Sequence, residues 1–500
     1  MSRLALFYSL KLYILALFWS LKLYIFAKTG IIGNVRKVNE MERTAARTLE
    51  KWLACGNRKP MIVWGARQVG KTYLVKTLFA EKHFKDSCIY VDFKKETDIR
   101  NYILEADIVD AAKITEFLSY RFNRKIDRNT LLIFDEIQEC LPAITALKYF
   151  RQDMPEQPVI ATGSMVRIKL KREQAAANRR HAESYFFPVG AISQLTIHPM
   201  TFEEYLLNSN EMLLDALSAA WNEQRPLEDW QHAMAMDALY KYLLIGGMPE
   251  ALNIYLTAHS GAEARETLVI LYDNYLNDMD LYQASRDSVV RAKAVYKNIY
   301  TQLNKEQKNF RSSLVDKSLR SRDLKTPIDW LEEAKLIYKS QQLNEHVTIP
   351  LTDNGHPDFR LYMADTGMFA YQSGINMATF IDPNAVNTLS GIFFENFAAA
   401  ELTSAGIPLF YWKGKNSAEF EFVTVSSSNV IPIDVKKKHG TLKSLEKFRE
   451  HNSCKLAVKI SANKYGYSPE QKLLTVPLYQ TFLLADSIKN NTLVEHGRIS

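Results

Sequence analysis

Gly65-Ala66-Arg67-Gln68-Val69-Gly70-Lys71-Thr72 follows directly on the apolar run Met61 to Trp64, and its residue types suit one task. Glycines let consecutive backbone N–H groups close around phosphate oxygens, the Lys71 ammonium can reach β- and γ-phosphates, and the Thr72 hydroxyl can ligate Mg²⁺. Ala66, Arg67, Gln68 and Val69 complete the loop between the two glycines. A helix starting near Lys71 would aim its positive end at the same anion. The spacing predicts a site for a nucleoside triphosphate with Mg²⁺. The chain shows no guanine-reading Asn-Lys-x-Asp element, so ATP is the expected nucleotide.

A second run, Leu131-Leu132-Ile133-Phe134-Asp135-Glu136, reads as a buried parallel strand ending in two acids. Asp135 is the candidate for the Mg²⁺ shell and Glu136 for orienting and deprotonating an attacking water. The interval from Lys71 leaves room for a helix, a strand at Cys88 to Phe93 and a further helical region. A third strand, Pro158 to Ser164, ends in small hydroxyl residues, and Thr162 or Ser164 suits the sensing of a γ-phosphate or the water. Together these spacings predict nucleotide hydrolysis on an α/β core.

The elements that must position these groups belong to a chain of 500 residues, long enough for several domains. Charged residues at 24% and hydrophobic ones at 47% are globular values, and a net charge of +7 over this length permits nucleic-acid binding without arguing for it. Cys55, Cys88, Cys140 and Cys454 have no metal-ligand spacing, which suits reduced thiols in a cytoplasmic setting. Near the N-terminus, Ser9-Leu10-Lys11-Leu12-Tyr13-Ile14 recurs as Ser20-Leu21-Lys22-Leu23-Tyr24-Ile25. The uncharged run between the two lysines is about half of what a bilayer span needs. Residues 1–40 are read as an apolar extension ahead of an internal start at Met41, with an interfacial helix and a weak membrane anchor as alternatives.

From Glu42 to Trp52 the apolar positions fit a helix. Thr201 with Glu204 three residues on has capping-box spacing, and helical patterning continues to about Tyr300. Gly246-Gly247-Met248-Pro249-Glu250 interrupts it as a helix-helix corner. Between Asn304 and Tyr371, short helices precede two strand-like runs, Glu345 to Leu351 and Phe359 to Met363, a pattern that suits a winged helix. Its candidate recognition segment is Thr326 to Ala334. Arg311, Lys317, Arg320, Arg322 and Lys325 could meet DNA phosphates, or form an ordinary solvated face.

Further on, Ala418 to Val423 and Val430 to Lys436 alternate around a turn at Ser426 to Asn429, the pattern of a hairpin. Period-two geometry puts Asp434 and Lys436 on one face and aligns Glu421 with Glu419. A helix at Phe393 to Phe397 can aim Glu395 at the same place. Glu395, Glu421, Asp434 and Lys436 therefore form a candidate nuclease-like site that could hold Mg²⁺ for phosphodiester attack.

With these motifs in view, the chain from Met41 onward resembles the bacterial and archaeal AAA-type ATPases that carry a C-terminal domain of unknown function with a restriction-endonuclease-like fold. The matching residues run in order: Lys59-Pro60, the Gly65 to Thr72 loop, Phe134 to Gln138, Thr162-Gly163-Ser164, Pro199 to Glu204, Gly246 to Glu250, Asp329-Trp330-Leu331, Asp365-Thr366-Gly367, Phe394 to Phe397 and Ile433 to Lys436. The resemblance implies an α/β fold: a P-loop NTPase core of AAA-like, ASCE type over 41–205, a helical region over 206–300, a winged-helix-like region over 301–375 and a PD-(D/E)xK nuclease-like α/β domain over 376–500. It implies ATP and Mg²⁺ as cofactors, an ATPase activity, and an oligomer or a DNA partner as open options. Glu421 stands where that family usually has aspartate and Asp434 where it usually has glutamate. Ala191 follows Gly190 where a basic finger is common, leaving Arg151, Arg167, Arg172, Arg179 and Arg180 as substitutes. Two other classes fit the same motifs: an ATP-gated metal-dependent nuclease and a non-hydrolysing nucleotide switch.

Overall fold

The structure is a computed structural model that describes residues 41–164, 185–282, 285–352, 355–375, 383–414, 418–436 and 443–493. The apolar extension at 1–40 and the candidate fingers Arg167, Arg172, Arg179 and Arg180 lie outside the described residues. Glu42–Ser500 forms one compact unit.

Five short runs, all but the polar edge strand β5 largely apolar, build a parallel sheet: β1 (Met61–Gly65), β2 (Cys88–Asp92), β3 (Leu131–Asp135), β4 (Val159–Gly163) and β5 (Ser193–Ile197), in the spatial order β2-β3-β4-β1-β5. Every residue of β3 and β4 is buried, as expected for strands covered on both faces. The covering helices are α1 (Ala45–Ala54), α2, α3 (Thr97–Glu105), α4 (Ala111–Arg121) and α5 (Leu141–Asp153). The second of these starts as Lys71–Tyr73, is π-wound over Leu74–Ala80 and ends as Glu81–His83. Ile62, Val91, Phe93, Leu132, Phe134, Ile144 and Leu147 meet in the core beneath them. Because the strands are parallel and in register, with Trp64 beside Gly163 and Phe134 beside Ala161, the chain leaves β1, β3 and β4 on one edge. That edge carries the candidate chemistry, where open α/β sheets place their ligands.

Six helices follow: α6 (Phe202–Ser209), α7 (Glu211–Asn222), α8 (Asp229–Ile245), α9 (Pro249–Ala258), α10 (Gly261–Tyr282) and α11 (Arg286–Leu303). The first has the capping box anticipated at Thr201 and Glu204, each side chain bonding the other's backbone N–H at 3.3 and 3.2 Å. The Gly246 to Glu250 corner also forms as read: Gly246 takes φ 77° and Pro249 opens α9.

Beyond α12 (Ser312–Val315) and α13 (Ser321–Glu333), the expected strand at Glu345 to Leu351 is a misreading. The antiparallel partner of β7 (Phe359–Met363) is β6 (Ile337–Leu343), and residues 345–351 are irregular. Val347 N–H donates instead to Asn452 Oδ1 at 2.7 Å. After α14 (Thr366–Gln372), the helix expected near Phe393 begins at Pro383, as α15 (Pro383–Ser404). A four-stranded sheet runs β7-β6-β8-β9, with β8 at Phe410–Lys413 and β9 at Glu419–Phe420.

The last sheet, β10-β11-β12-β14-β13, starts with a hairpin of β10 (Phe422–Ser426) and β11 (Asn429–Lys436), but the run expected as one strand, Ala418 to Val423, is split: Glu419–Phe420 pairs in the other sheet and Glu421 lies between the two. Ser427 and Ser428 both have positive φ, 48° and 60°, which matches the twist of the strands they join. The chain continues through α16 (Lys443–His451), β12 (Ala457–Ser461), β13 (Gly466–Ser468), β14 (Leu473–Pro477) and α17 (Thr481–Lys489). Among the described residues, no helix is long and apolar enough to cross a membrane. All four cysteines are free thiols.

Candidate functional site

Gly65 leaves β1 at φ 152°, and a Cβ there would lie 2.3 Å from the Ile197 carbonyl oxygen, so the tight exit from the strand needs glycine. Gly70, at φ 88°, turns the loop into α2. Lys71 is buried and donates to the carbonyls of Gly65 at 3.1 Å and Ala66 at 2.7 Å. Burial brings its ammonium down to about 8, against the opposing pull of Glu136 and Asp135. A desolvated cation satisfied by two neutral carbonyls has much to gain from an anion.

The loop and the acidic strand meet directly. Thr72 Oγ1 donates to Asp135 Oδ2 at 2.8 Å, and the Tyr90 hydroxyl donates to the same oxygen at 2.5 Å. Asp135 Oδ1 accepts from Thr162 Oγ1 and, at 3.0 Å, from the Glu136 N–H. Burial, then the bond to Asp135, raises the Tyr90 phenol above its ordinary range. Hydroxyl and carboxylate oxygens side by side beneath a phosphate-binding loop are the hard donor set that Mg²⁺ takes, so Thr72 and Asp135 fit that ion. Glu136 is partly exposed in a left-handed conformation at φ 51°, with its Oε2 accepting from Gln138 Nε2. Ser164 is buried just past the end of β4.

Several neighbours carry no motif. Arg43 is buried and spans three segments: Nη1 donates to the Val69 carbonyl at 2.8 Å, Nη2 to the His198 carbonyl at 2.8 Å, and Nε to Glu204 Oε1 at 3.1 Å. Arg67 pairs with Asp278 of α10, and the Tyr275 hydroxyl donates to the Arg67 carbonyl at 2.8 Å. Pro249 lies beside Gly70, where an added Cβ would meet its Cγ at 3.5 Å, an ordinary van der Waals contact. Arg151, a candidate finger, bonds Asn57 and the Arg58 carbonyl ahead of β1, at the end of that strand opposite the loop.

The second set of acids also converges. Glu395 and Glu421 are buried; Lys436 lies 3.0 Å from Glu421 Oε1 and 2.9 Å from Asp434 Oδ1. Lys308, Arg360 and Tyr362 join them, and none of these was singled out from the sequence. Burial and the facing Glu421 raise the Asp434 carboxyl, whereas Lys308 and Lys436 hold Glu421 low despite its burial.

Residues 57–206 match the family model of the AAA domain, 236–379 that of a domain of unknown function (DUF8612), and 390–479 that of a domain of unknown function (DUF4143). Comparison with curated proteins gives no match. Among solved structures, a Walker-type ATPase of Pyrococcus abyssi is 16% identical over 69% of this chain and 99% of that one, with a TM-score of 0.39. DnaA of Aquifex aeolicus bound to AMPPCP is 15% identical over 59% and 89% of the two chains, with a TM-score of 0.26. The Orc1 protein of Aeropyrum pernix in complex with DNA is 14% identical over 65% and 90%, with a TM-score of 0.26. With its phosphate-binding loop and acidic strand on a parallel sheet, the chain combines an AAA-type P-loop ATPase domain over 57–206 with a C-terminal DUF4143 domain over 390–479.

Proposed function

We propose that the chain is a Mg²⁺-dependent ATPase whose nucleotide state changes its grip on a partner. The observation that carries this reading is the 2.8 Å bond between Thr72 and Asp135 beneath a loop whose lysine is desolvated. Residues Gly65 to Thr72 receive the triphosphate, and Thr72 with Asp135 holds the ion, which supplies charge neutralisation at the phosphates. Glu136 accepts a proton from the attacking water once Gln138 releases its carboxylate. Thr162 acts by fixing Asp135, which leaves Ser164 for the sensing of the γ-phosphate or the water. ATPase turnover of the purified chain, beside Lys71→Ala, tests the reading; equal binding and turnover in that variant would overturn it.

Arg43, Arg67 and Pro249 tie the loop to the helices that follow it, which supports transmission of the nucleotide state beyond the sheet. Arg311, Lys317, Arg320, Arg322 and Lys325 are all exposed around α12 and α13, in the region read from the sequence as winged-helix-like, and Arg311 also pairs with Asp358 at 2.9 Å. That face supports DNA as the partner. Turnover measured with and without duplex DNA at low and high salt tests it: stimulation that disappears with salt is expected, and none at either salt would remove DNA. A nucleotide-gated nuclease is the second reading, favoured by the convergence of Glu395, Glu421, Asp434 and Lys436 in the PD-(D/E)xK manner. It requires Mg²⁺-dependent cleavage that vanishes in Asp434→Ala.

A further inference from the structure

The carboxylates of Glu395 and Glu421 share a cation that the chain itself supplies, and Asp434 stands beside them on Lys436. Lys308, in the segment between α11 and α12, places Nζ 2.5 Å from Glu395 Oε2 and 3.6 Å from Glu421 Oε1. Lys436 covers the other side, at 3.0 Å from Glu421 Oε1 and 2.9 Å from Asp434 Oδ1. The second oxygen of each glutamate is engaged too. Glu421 Oε2 accepts from Val435 N–H at 3.1 Å, and Glu395 Oε1 accepts from the Tyr362 hydroxyl at 2.7 Å with Arg360 at 3.4 Å.

A divalent ion needs its oxygens at about 2.0–2.6 Å with nothing between them. Here an ammonium already bridges Glu395 of α15 and Glu421, which lies between β9 and β10, and among the described residues no group of three acidic, histidine or cysteine side chains is arranged to hold a metal ion. The donor set does not fit the metal that a nuclease-like fold implies.

We infer that Lys308 is the resident cation of this cluster: its ammonium takes the place of the divalent ion and closes the site to metal while residues 304–311 stay seated. The inference rests on the nuclease-type reading of these carboxylates for what an opened site would do. The lysine is placed rather than merely within reach. Its neighbour Asn309 accepts from the Tyr411 hydroxyl at 2.9 Å and donates to Asp358 at 3.0 Å, Phe310 N–H donates to the Phe359 carbonyl at 2.8 Å, and Arg311 N–H donates to Gln302 at 2.7 Å. Both carboxylates it meets are almost fully buried, at 1% and 2% exposure, so leaving either charge without a partner is costly. Lys308 follows α11, which packs on α10, and α10 carries the Asp278 and Tyr275 that hold the phosphate loop. A continuous packed route therefore runs from the nucleotide to the closing lysine.

The test is a Mn²⁺ titration of the full chain without nucleotide, read by electron paramagnetic resonance of the free ion. The wild type and Lys308→Arg should show no ion that depends on Glu421. Lys308→Met should gain one Mn²⁺ per chain, at least tenfold tighter than any wild-type binding, and Lys308→Met/Glu421→Gln should lose it. A wild-type Mn²⁺ removed by Glu421→Gln, or a folded Lys308→Met that gains none, overturns the inference. Should Lys308→Met not fold, Lys308→Gln, a neutral side chain whose amide can still donate to Glu395, is held to the same gain. A DNA cleavage assay on the metal-loaded variant separates the two ideas: binding without cutting leaves the closure standing and removes the nuclease reading.

Discussion

Asp365 accepts the backbone N–H of Gly247 at 2.7 Å across 118 residues, joining two glycine-containing turns, Gly246 to Pro249 and Asp365 to Gly367. Both turns are packed to the limit. A Cβ at Gly247 would sit 2.0 Å from the Met200 carbonyl oxygen, and one at Gly367 would sit 2.4 Å from that of Ile245. Gly247→Ala is therefore expected to cost more than about 3 kcal/mol, since backbone rather than a flexible side chain must give way. Asp365→Ala should cost about 2–4 kcal/mol by leaving buried N–H groups, those of Gly247 and Met368 among them, without an acceptor. Urea unfolding measures both, and a Gly247→Ala protein as stable as the wild type would show that this corner is loose.

The nucleotide site separates binding from chemistry. Lys71→Ala removes the buried ammonium and should weaken ATP binding at least about a hundredfold, as expected for loss of a charge-assisted contact to phosphate. Glu136→Gln keeps the shape but not the base, so binding should persist while turnover falls about 10²–10⁴-fold. Calorimetry for binding and single-turnover hydrolysis for chemistry distinguish them. Normal turnover in Glu136→Gln would transfer the base role to another residue.

What could be read ahead of the structure was what depends on near neighbours. Gly65 to Thr72, the all-apolar β3 and the capping box of Thr201 with Glu204 each carry their reason within a few residues. Tyr90, Arg43 and Lys308 do not: they act on Asp135, Glu204 and Glu395, at separations of 45, 161 and 87 residues. Strand β6 escaped for a different reason. Its Ser340 and Gln342 are polar yet buried, which breaks the alternation that marks a strand, while Val347 and Ile349 imitate it in a segment that bonds Asn452, just past α16, instead.

Arg67 of the phosphate loop is held by Asp278, whose carboxyl is raised by burial even as Arg67 pulls it down. An anion at that arginine competes with any triphosphate entering the loop. Asp278→Asn should therefore tighten ATP binding by about fivefold at low salt, the usual size of a coupling between neighbouring sites. The gain should shrink as salt screens the charge. Titration of a fluorescent ATP analogue at two ionic strengths reads this directly, and weaker binding in Asp278→Asn would mean that the pair builds the loop rather than restrains it.

Glu401 gives the fold a pH dependence of definite sign. It lines a cavity of about 300 Å³ with Glu203, Glu204, Asp486, His198, Arg43, Arg47 and Lys489, and its Oε1 accepts from Phe202 N–H at 2.9 Å. Burial pushes Glu401 up to about 8 and Glu203 up to about 7, whereas burial pulls His198 down to about 4. From the ordinary carboxyl value of 4.5 up to about 8, folded Glu401 keeps a proton that the unfolded chain has released. Stability must then fall as pH rises through that window, by about 1.4 kcal/mol per pH unit for each such group. Glu401→Gln keeps the acceptor for Phe202 without the ionisation, so it should flatten the profile and gain about 2–4 kcal/mol at pH 8. Denaturation midpoints between pH 5 and pH 8.5 decide the matter: a wild type that grows more stable towards alkaline pH, with Glu401→Gln losing that rise, would mean that the carboxylate is ionised and paired inside the fold.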